Sequence, residues 1–214
     1  MQHIPTALDH GFEYIGGDLS TDFVNTTSNR YTEAEHHEHI RTYADLVEFA
    51  RLGGAIRPGL ARALIVEAER RPEKATHVYR RTVALREALW GAYSRLAQGE
   101  EPSQDDLDVI SREAADALAH GSFIKGPDGL VWDWPDTDDL ARPLWAVARA
   151  ASDLLTNAHD RELVRECADD TCAWLFVDRT KNHSRRWCDM GNCGTKNKVR
   201  EFRAREKRAA RKAR

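Results

Sequence analysis

The sequence predicts a mainly α-helical protein with a small cysteine-organised module at its C-terminal end, and three observations carry that prediction. Apolar residues recur at helical spacing through most of residues 43–157. The four cysteines of the chain, Cys167, Cys172, Cys188 and Cys193, fall in one short stretch as two C-x4-C pairs. The charge is also divided: the chain as a whole carries only −3, but residues 161–214 hold 16 Lys and Arg against 8 Asp and Glu, which leaves −11 for the rest.

Each element follows from local signals. Gly16-Gly17 beside Phe12, Tyr14 and Ile15 predicts a tight turn into a short buried segment, Asp22-Phe23-Val24-Asn25-Thr26-Thr27. Neither the full glycine fingerprint nor the lysine of a phosphate-binding loop accompanies the pair. Tyr43, Leu46, Val47, Ala50 and Leu52 predict a helix stopped by Gly53-Gly54, and Pro58 opens another through Leu60, Leu64, Ile65 and Ala68. Pro72 opens the longest. There Val78, Leu85, Leu89, Ala92 and Leu96 share a face that Trp90 and Tyr93 widen, until Gly99 ends the run. Ser103 and Asp106 form the cap of a further helix with Leu107, Ile110, Ala114 and Leu118 on one side. Between His120 and Pro135 the period changes, and Phe123-Ile124, Gly126-Pro127-Asp128-Gly129 and Leu130-Val131-Trp132-Asp133-Trp134 predict a β-hairpin. Leu140 to Asn157 returns to helix, delayed or kinked by Pro143. The composition turns basic after Asn157-Ala158-His159-Asp160, which divides the chain into a helical domain, 1–158, and a C-terminal module, 159–214.

Several function classes are disfavoured. The apolar runs fall far short of the roughly 18 residues that span a bilayer, and Met1 to Ile15 lacks a secretory apolar run. The expectation is a soluble, cytoplasmic protein with no membrane partner. Glu35-His36-His37-Glu38-His39 lacks the paired histidines of a zinc-protease helix, and only Glu35 with His39 has ligand-compatible spacing, so a solvated loop or helix start is expected. No nucleophile elbow is present, no cysteine lies outside the C-terminal cluster, and no enzyme is predicted. Trp90, Tyr93, Trp132, Trp134 and Trp145 are expected to pack the core before they line a pocket.

The cysteines have two readings. Two local disulfides belong to small secreted domains, whereas two short-range pairs brought together by one intervening segment supply the four thiolates of a tetrahedral zinc site. Zinc is the favoured reading: one structural Zn(II) per chain, with Cys167, Cys172, Cys188 and Cys193 as ligands. His183 lies between the pairs as a substitute ligand that four thiolates make unnecessary. Trp174-Leu175-Phe176-Val177-Asp178 reads as a strand covering one side of the metal. After the last cysteine, Lys196, Arg200, Arg203, Lys207 and Arg211 fall on one helix face, Lys198 and Arg205 widen it, and Val199 and Phe202 are expected to face a small core. Residues 208–214 read as a solvated tail.

Cys167-x4-Cys172 with Phe176-x-Asp178, then Ser184-Arg185-Arg186-Trp187-Cys188-x-Met190-x2-Cys193-Gly194 and a basic helix, resembles the CGNR zinc finger family. Gly16-Gly17 and Asp22-Phe23-Val24-Asn25-Thr26 are similar to the helical domain that accompanies this finger in bacterial stress-induced transcription regulators. In place of the family's Asn-Arg after Cys-Gly, this chain has Thr195-Lys196, which keeps the charge and loses the bidentate fork. The resemblance implies a zinc-dependent regulator of double-stranded DNA, its helical domain sensing a small molecule, forming a homodimer, or both. The expected nucleic-acid contacts are Arg185, Arg186, Lys196, Lys198, Arg200, Arg203, Arg205 and Lys207. The competing reading is a zinc-stabilised protein-interaction module, since a basic stripe docks an acidic protein as readily as a phosphate backbone.

Overall fold

The computed structural model describes residues 11–126 and 129–212, without the side chains of Glu35 and residues 210–212. His10 and the Pro127-Asp128 centre of the hairpin turn therefore lie outside the described residues, as do Ala213, Arg214 and the side chain of Arg211 at the end of the basic stripe.

The short buried segment after the paired glycines is a helix, α1 (Leu19–Val24), capped by the Asp18 carboxylate on the Ser20 amide. It leads into β1 (Thr27–Ser28), which pairs antiparallel with β2 (His37–Glu38). Helix α2 (Tyr43–Leu52) starts at a complete Thr42/Asp45 capping box, in which each side chain accepts from the other residue's backbone amide. Helices α3 (Pro58–Arg70) and α4 (Pro72–Ala97) both open with proline in the first turn, where a missing amide costs nothing. After α4 the chain turns at Gly99, whose φ of +78° favours glycine. Ser103 caps α5 (Gln104–His120) by accepting from the Asp106 amide.

The hairpin is β3 (Ser122–Gly126) with β4 (Gly129–Asp133), in the register Ile124 opposite Val131. Phe123 and Leu130 on it remain largely exposed. Helix α6 (Arg142–Thr156) starts late with Pro143 in its first turn, as the sequence predicts. A short helix α7 (Ala158–Glu162) then precedes β5 (Val164–Glu166), which pairs antiparallel with β6 (Leu175–Val177). The last helix is α8 (Thr195–Lys212).

Helix α4 is the centre of the molecule and packs against α1, α2, α3, α5 and α6. Its buried residues, from Ala75 through Leu85, Leu89 and Tyr93 to Ser94, cover more than one stripe, as a helix surrounded by others requires. Tyr93 and Trp145 are core residues. The Glu-His cluster is spread over several partners. Buried Arg86 donates through Nη1 to Glu38 Oε1 at 2.6 Å, and Ser28 Oγ lies 2.9 Å from His39 Nε2.

The core does not end where the composition changes. Leu163, Val164, Leu175 and Val177 from the C-terminal part are buried in the same apolar cluster as the helices. Strand alternation explains how: Leu175 and Val177 face the helical core, while Trp174 and Phe176 join the four cysteines in a second cluster. The β6 backbone is held from the N-terminal side. Asn25 Nδ2 donates to the Leu175 carbonyl at 2.8 Å, the Leu175 amide donates to Asn25 Oδ1 at 2.8 Å, and the Val177 amide donates to the Gly16 carbonyl at 2.7 Å. Trp174 Nε1 adds a bond to the Thr27 carbonyl at 3.1 Å. This explains the glycine pair: a Cβ on Gly16 would sit 2.5 Å from Thr21 Oγ1, and Gly17 has φ +83°.

Removing the Asn25 amide leaves both Leu175 backbone groups buried without partners, at about 1–3 kcal/mol per group. Asn25→Ala is expected to destabilise the zinc-loaded protein by about 2–4 kcal/mol in urea denaturation; a loss below about 1 kcal/mol would show that the clamp contributes little. Asp22 supplies a pH test. It accepts from the Gly16 amide at 2.7 Å, and burial raises its carboxyl to about 7 despite that bond. A folded pKa above the unfolded value of about 3.9 means that its stabilising share is complete below about pH 4 and lost as pH rises through about 7. With zinc in excess, the stability of the wild type relative to Asp22→Asn should therefore fall between about pH 4 and about pH 7; a flat difference contradicts it.

Candidate metal centre and basic helix

The β5–β6 hairpin and the chain after it build the cysteine site. The Cys167 amide donates to the Trp174 carbonyl at 2.8 Å and closes the first C-x4-C loop, while the Ala168 amide donates to the Arg186 carbonyl at 2.8 Å and ties that loop to the second pair. Cys193 lies in a π-helical turn, Met190–Gly194, capped by Asp189 on the Asn192 amide. All four cysteines are free and buried, and their sulfur atoms lie within 4.8 Å of one another.

The spacing fits a tetrathiolate metal site. A tetrahedron with Zn–S bonds of about 2.3 Å separates its sulfurs by roughly 3.8 Å. Cys172 Sγ and Cys188 Sγ are 3.6 Å apart, and Cys188 Sγ and Cys193 Sγ are 3.7 Å apart. The second, across a local C-x4-C pair, exceeds the roughly 2.05 Å of a disulfide by far, and with all four cysteines free the local-bridge alternative is not what the fold builds. The thiols also cannot all ionise unaided. Hydrogen bonds from Cys172 and Cys188 lower Cys167, while the Cys167 and Cys172 sulfurs push Cys188 up and burial raises Cys193. Neighbouring thiolates repel one another in a buried cluster, and a divalent cation between them offsets that repulsion. His183 is not among the ligands; its Nδ1 lies 2.9 Å from the Asp178 carbonyl oxygen.

The family model of the CGNR zinc finger matches residues 164–206, and the ABATE model, described as "Putative stress-induced transcription regulator", matches residues 17–158. The chain belongs to the ABATE family. No curated protein matches it. With the finger match and the geometry together, the cofactor of this ABATE protein is one structural zinc per chain, held by the cysteine cluster. Bound there, zinc supplies folding free energy and no open coordination position.

The structure sorts the expected basic contacts of the ABATE protein into two groups. Arg185 turns inward: its guanidinium lies 4.2 Å from the centre of the Phe176 ring and donates to the carbonyls of Ile15, Trp187 and Cys188. Lys196 Nζ lies 3.4 Å from Asp169 Oδ1 and 3.1 Å from Thr171 Oγ1, and Arg200 donates to Asp170 Oδ1 at 2.8 Å. The lysine that replaces the family's arginine thus ties α8 back to the first cysteine loop. Arg186 is exposed over the Trp187 ring, whose indole packs on the cysteine cluster. Lys198, Arg203, Arg205 and Lys207 are exposed, with no ion pair or hydrogen bond among the described residues.

One expectation is corrected. Val199 and Phe202 do not face a small core; they are 42% and 55% exposed. Every described residue of α8 after Asn197 is exposed, because Trp174, Phe176, Ile15 and Trp187 already fill the space around the cysteines. Sequence reasoning also missed the residues that aim the helix. Asn197, buried at the start of α8, donates to Asp169 Oδ2 at 2.6 Å and to the Cys193 carbonyl at 2.9 Å. Burial alone would raise Asp169, yet bonds from Thr171 and Asn197 and the Lys196 charge hold it below the usual carboxylate range. The only sequence signal was a polar pair, Asp169-Asp170, inside the first C-x4-C loop.

Cys172→Ser and Cys188→Ser are each expected to take metal content from one zinc per chain to near zero and to unfold the module, with most far-ultraviolet helical signal kept, since most of the buried residues of the main apolar cluster come from the helices themselves. Elemental analysis with circular dichroism checks this; full zinc occupancy in both variants contradicts the ligand set.

Proposed function

We propose that this protein is a bacterial transcription regulator that binds double-stranded DNA through α8 in the cytoplasm, with residues 159–214 as the DNA-binding part and residues 1–158 as the part that senses a signal or forms a homodimer. The observation that carries this reading is the outer length of α8: beyond Asn197 its described residues are all exposed, and Lys198, Arg203, Arg205 and Lys207 have no partner among the described residues. An 18-residue helix is about 27 Å long, and a major groove about 12 Å wide admits it. The buried start of the helix sets its direction, and the cations beyond it meet phosphates or guanine edges. The family's description supports a response to stress. Among the described residues no helix is long and apolar enough to cross a membrane.

A second reading has its own observation. Val199 and Phe202 expose apolar surface on the same helix, which suits a protein partner better than a phosphate backbone.

Selection from a random duplex pool with zinc-loaded protein tests the first reading, and enrichment of one motif is expected. Arg203→Ala with Lys207→Ala should weaken duplex binding, lower the salt slope by about 2 and leave zinc content unchanged. Zinc-loaded protein that binds no duplex at low salt sinks the DNA reading and leaves the protein-contact reading standing.

A further inference from the structure

Arg142, the first residue of α6, is only 5% exposed, yet its Nε and Nη1 have no hydrogen-bond partner among the described residues. Its Nη2 comes no closer than 3.5 Å to Asp133 Oδ1, and its guanidinium lies 4.7 Å from the centre of the Trp134 ring. Buried charges are ordinarily paired, because an unpaired one loses its hydration without compensation. The other buried arginine of the helical domain, Arg86, follows that rule, with both Glu38 oxygens and Glu87 around it.

Arg142 lines a pocket of about 470 Å³ with Arg57, Ile56, Leu60, Trp134 and Asp136, within the size range of small-molecule sites. The N-terminus of α3 opens onto this pocket. Arg57 gives it no side-chain cap, its first turn has no acid, and the amide of Leu60, which lines the pocket, donates to no acceptor among the described residues. A helix start of this kind favours an anion. Burial also lowers the Arg142 pKa against the opposing charges of Asp133 and Asp136, so its charged form is under-compensated.

We propose that this pocket binds a small organic acid, a monocarboxylate whose head meets Arg142 and the start of α3 at Leu60 and whose short apolar body lies against Ile56 and Trp134. A single negative charge suits the site better than a phosphate dianion, because Asp133 and Asp136 line the same space. The Arg57–Asp136 pair at the rim, 2.8 Å apart with both side chains mostly exposed, is weak enough to rearrange around an entering anion. The inference gives a ligand class to the sensing role proposed above and rests on that reading for its regulatory meaning alone; the binding itself is measured without DNA.

The test uses the zinc-loaded full chain and follows its melting temperature against benzoate and butyrate at constant ionic strength, with phosphate and chloride as the other arms. Both carboxylates should raise the melting temperature along a saturating curve, chloride should not, and phosphate should act more weakly. Arg142→Met, which suits the apolar surroundings, should melt no lower than the wild type and bind the carboxylates about tenfold or more weakly. Arg57→Gln, on the exposed rim, should weaken binding by a smaller factor and decides the matter if Arg142→Met does not fold. A flat response to both carboxylates overturns the proposal. So does a response retained in both variants, which places the acid elsewhere, and so does phosphate binding as tightly as benzoate. Duplex binding enters none of these measurements, so failure here and failure of the DNA reading are distinguishable.

Discussion

Strand β6 is where the helical core and the zinc finger become one object. Leu175 and Val177 sit among the helices, and Trp174 and Phe176 sit against the cysteines. A three-residue strand with its partner β5 would be marginal alone. What holds it is a side chain from the opposite end of the sequence: the Asn25 amide offers the Leu175 backbone the donor and acceptor that a neighbouring strand would offer. In a dry interior such a reciprocal pair is strong when complete and costly when half made. The orientation of α8 depends on it in turn, because Cys172 lies three residues before β6 and Asp169, which grips Asn197, lies within the same loop.

The charge of the C-terminal part also looks different once its internal pairs are known. A net +8 over residues 161–214 suggests a uniformly basic module. The folded chain commits Lys196 and Arg200 to Asp169 and Asp170, Arg179 to Asp160, and Arg185 to backbone carbonyls. Exposed pairs of this kind add little stability, about 0–1 kcal/mol each, but they fix the start of α8 and leave the outward cations further along it unpaired. Positioning and recognition therefore fall to different residues of one helix.

The two buried arginines of the helical domain show how much a partner decides. Arg86 is enclosed by carboxylates and Thr26, and it turns a histidine-glutamate cluster that resembled a metal site into part of the packing. Arg142 is also buried, stacks on Trp134 and lines a pocket, but its Nε and Nη1 have no partner among the described residues. Burial without satisfaction is the usual sign that something outside the chain completes the site.

What the sequence by itself determined is what neighbouring residues decide together. Thr42 with Asp45, Ser103 with Asp106, Pro143 and Gly99 set helix ends through bonds within a few residues, and the two C-x4-C loops announced a metal site because each pair closes locally. Tertiary structure alone decided the rest. Asn25 finds Leu175 across 150 residues, and Arg185 finds Ile15 across 170, which turned an expected DNA contact into a support for the finger. Val199 and Phe202 carried a helical apolar pattern but met no surface to bury it, since the cysteine cluster was already covered by β6 and Trp187. Periodicity reports which side of a helix is apolar; only the packed chain reports whether anything lies opposite that side.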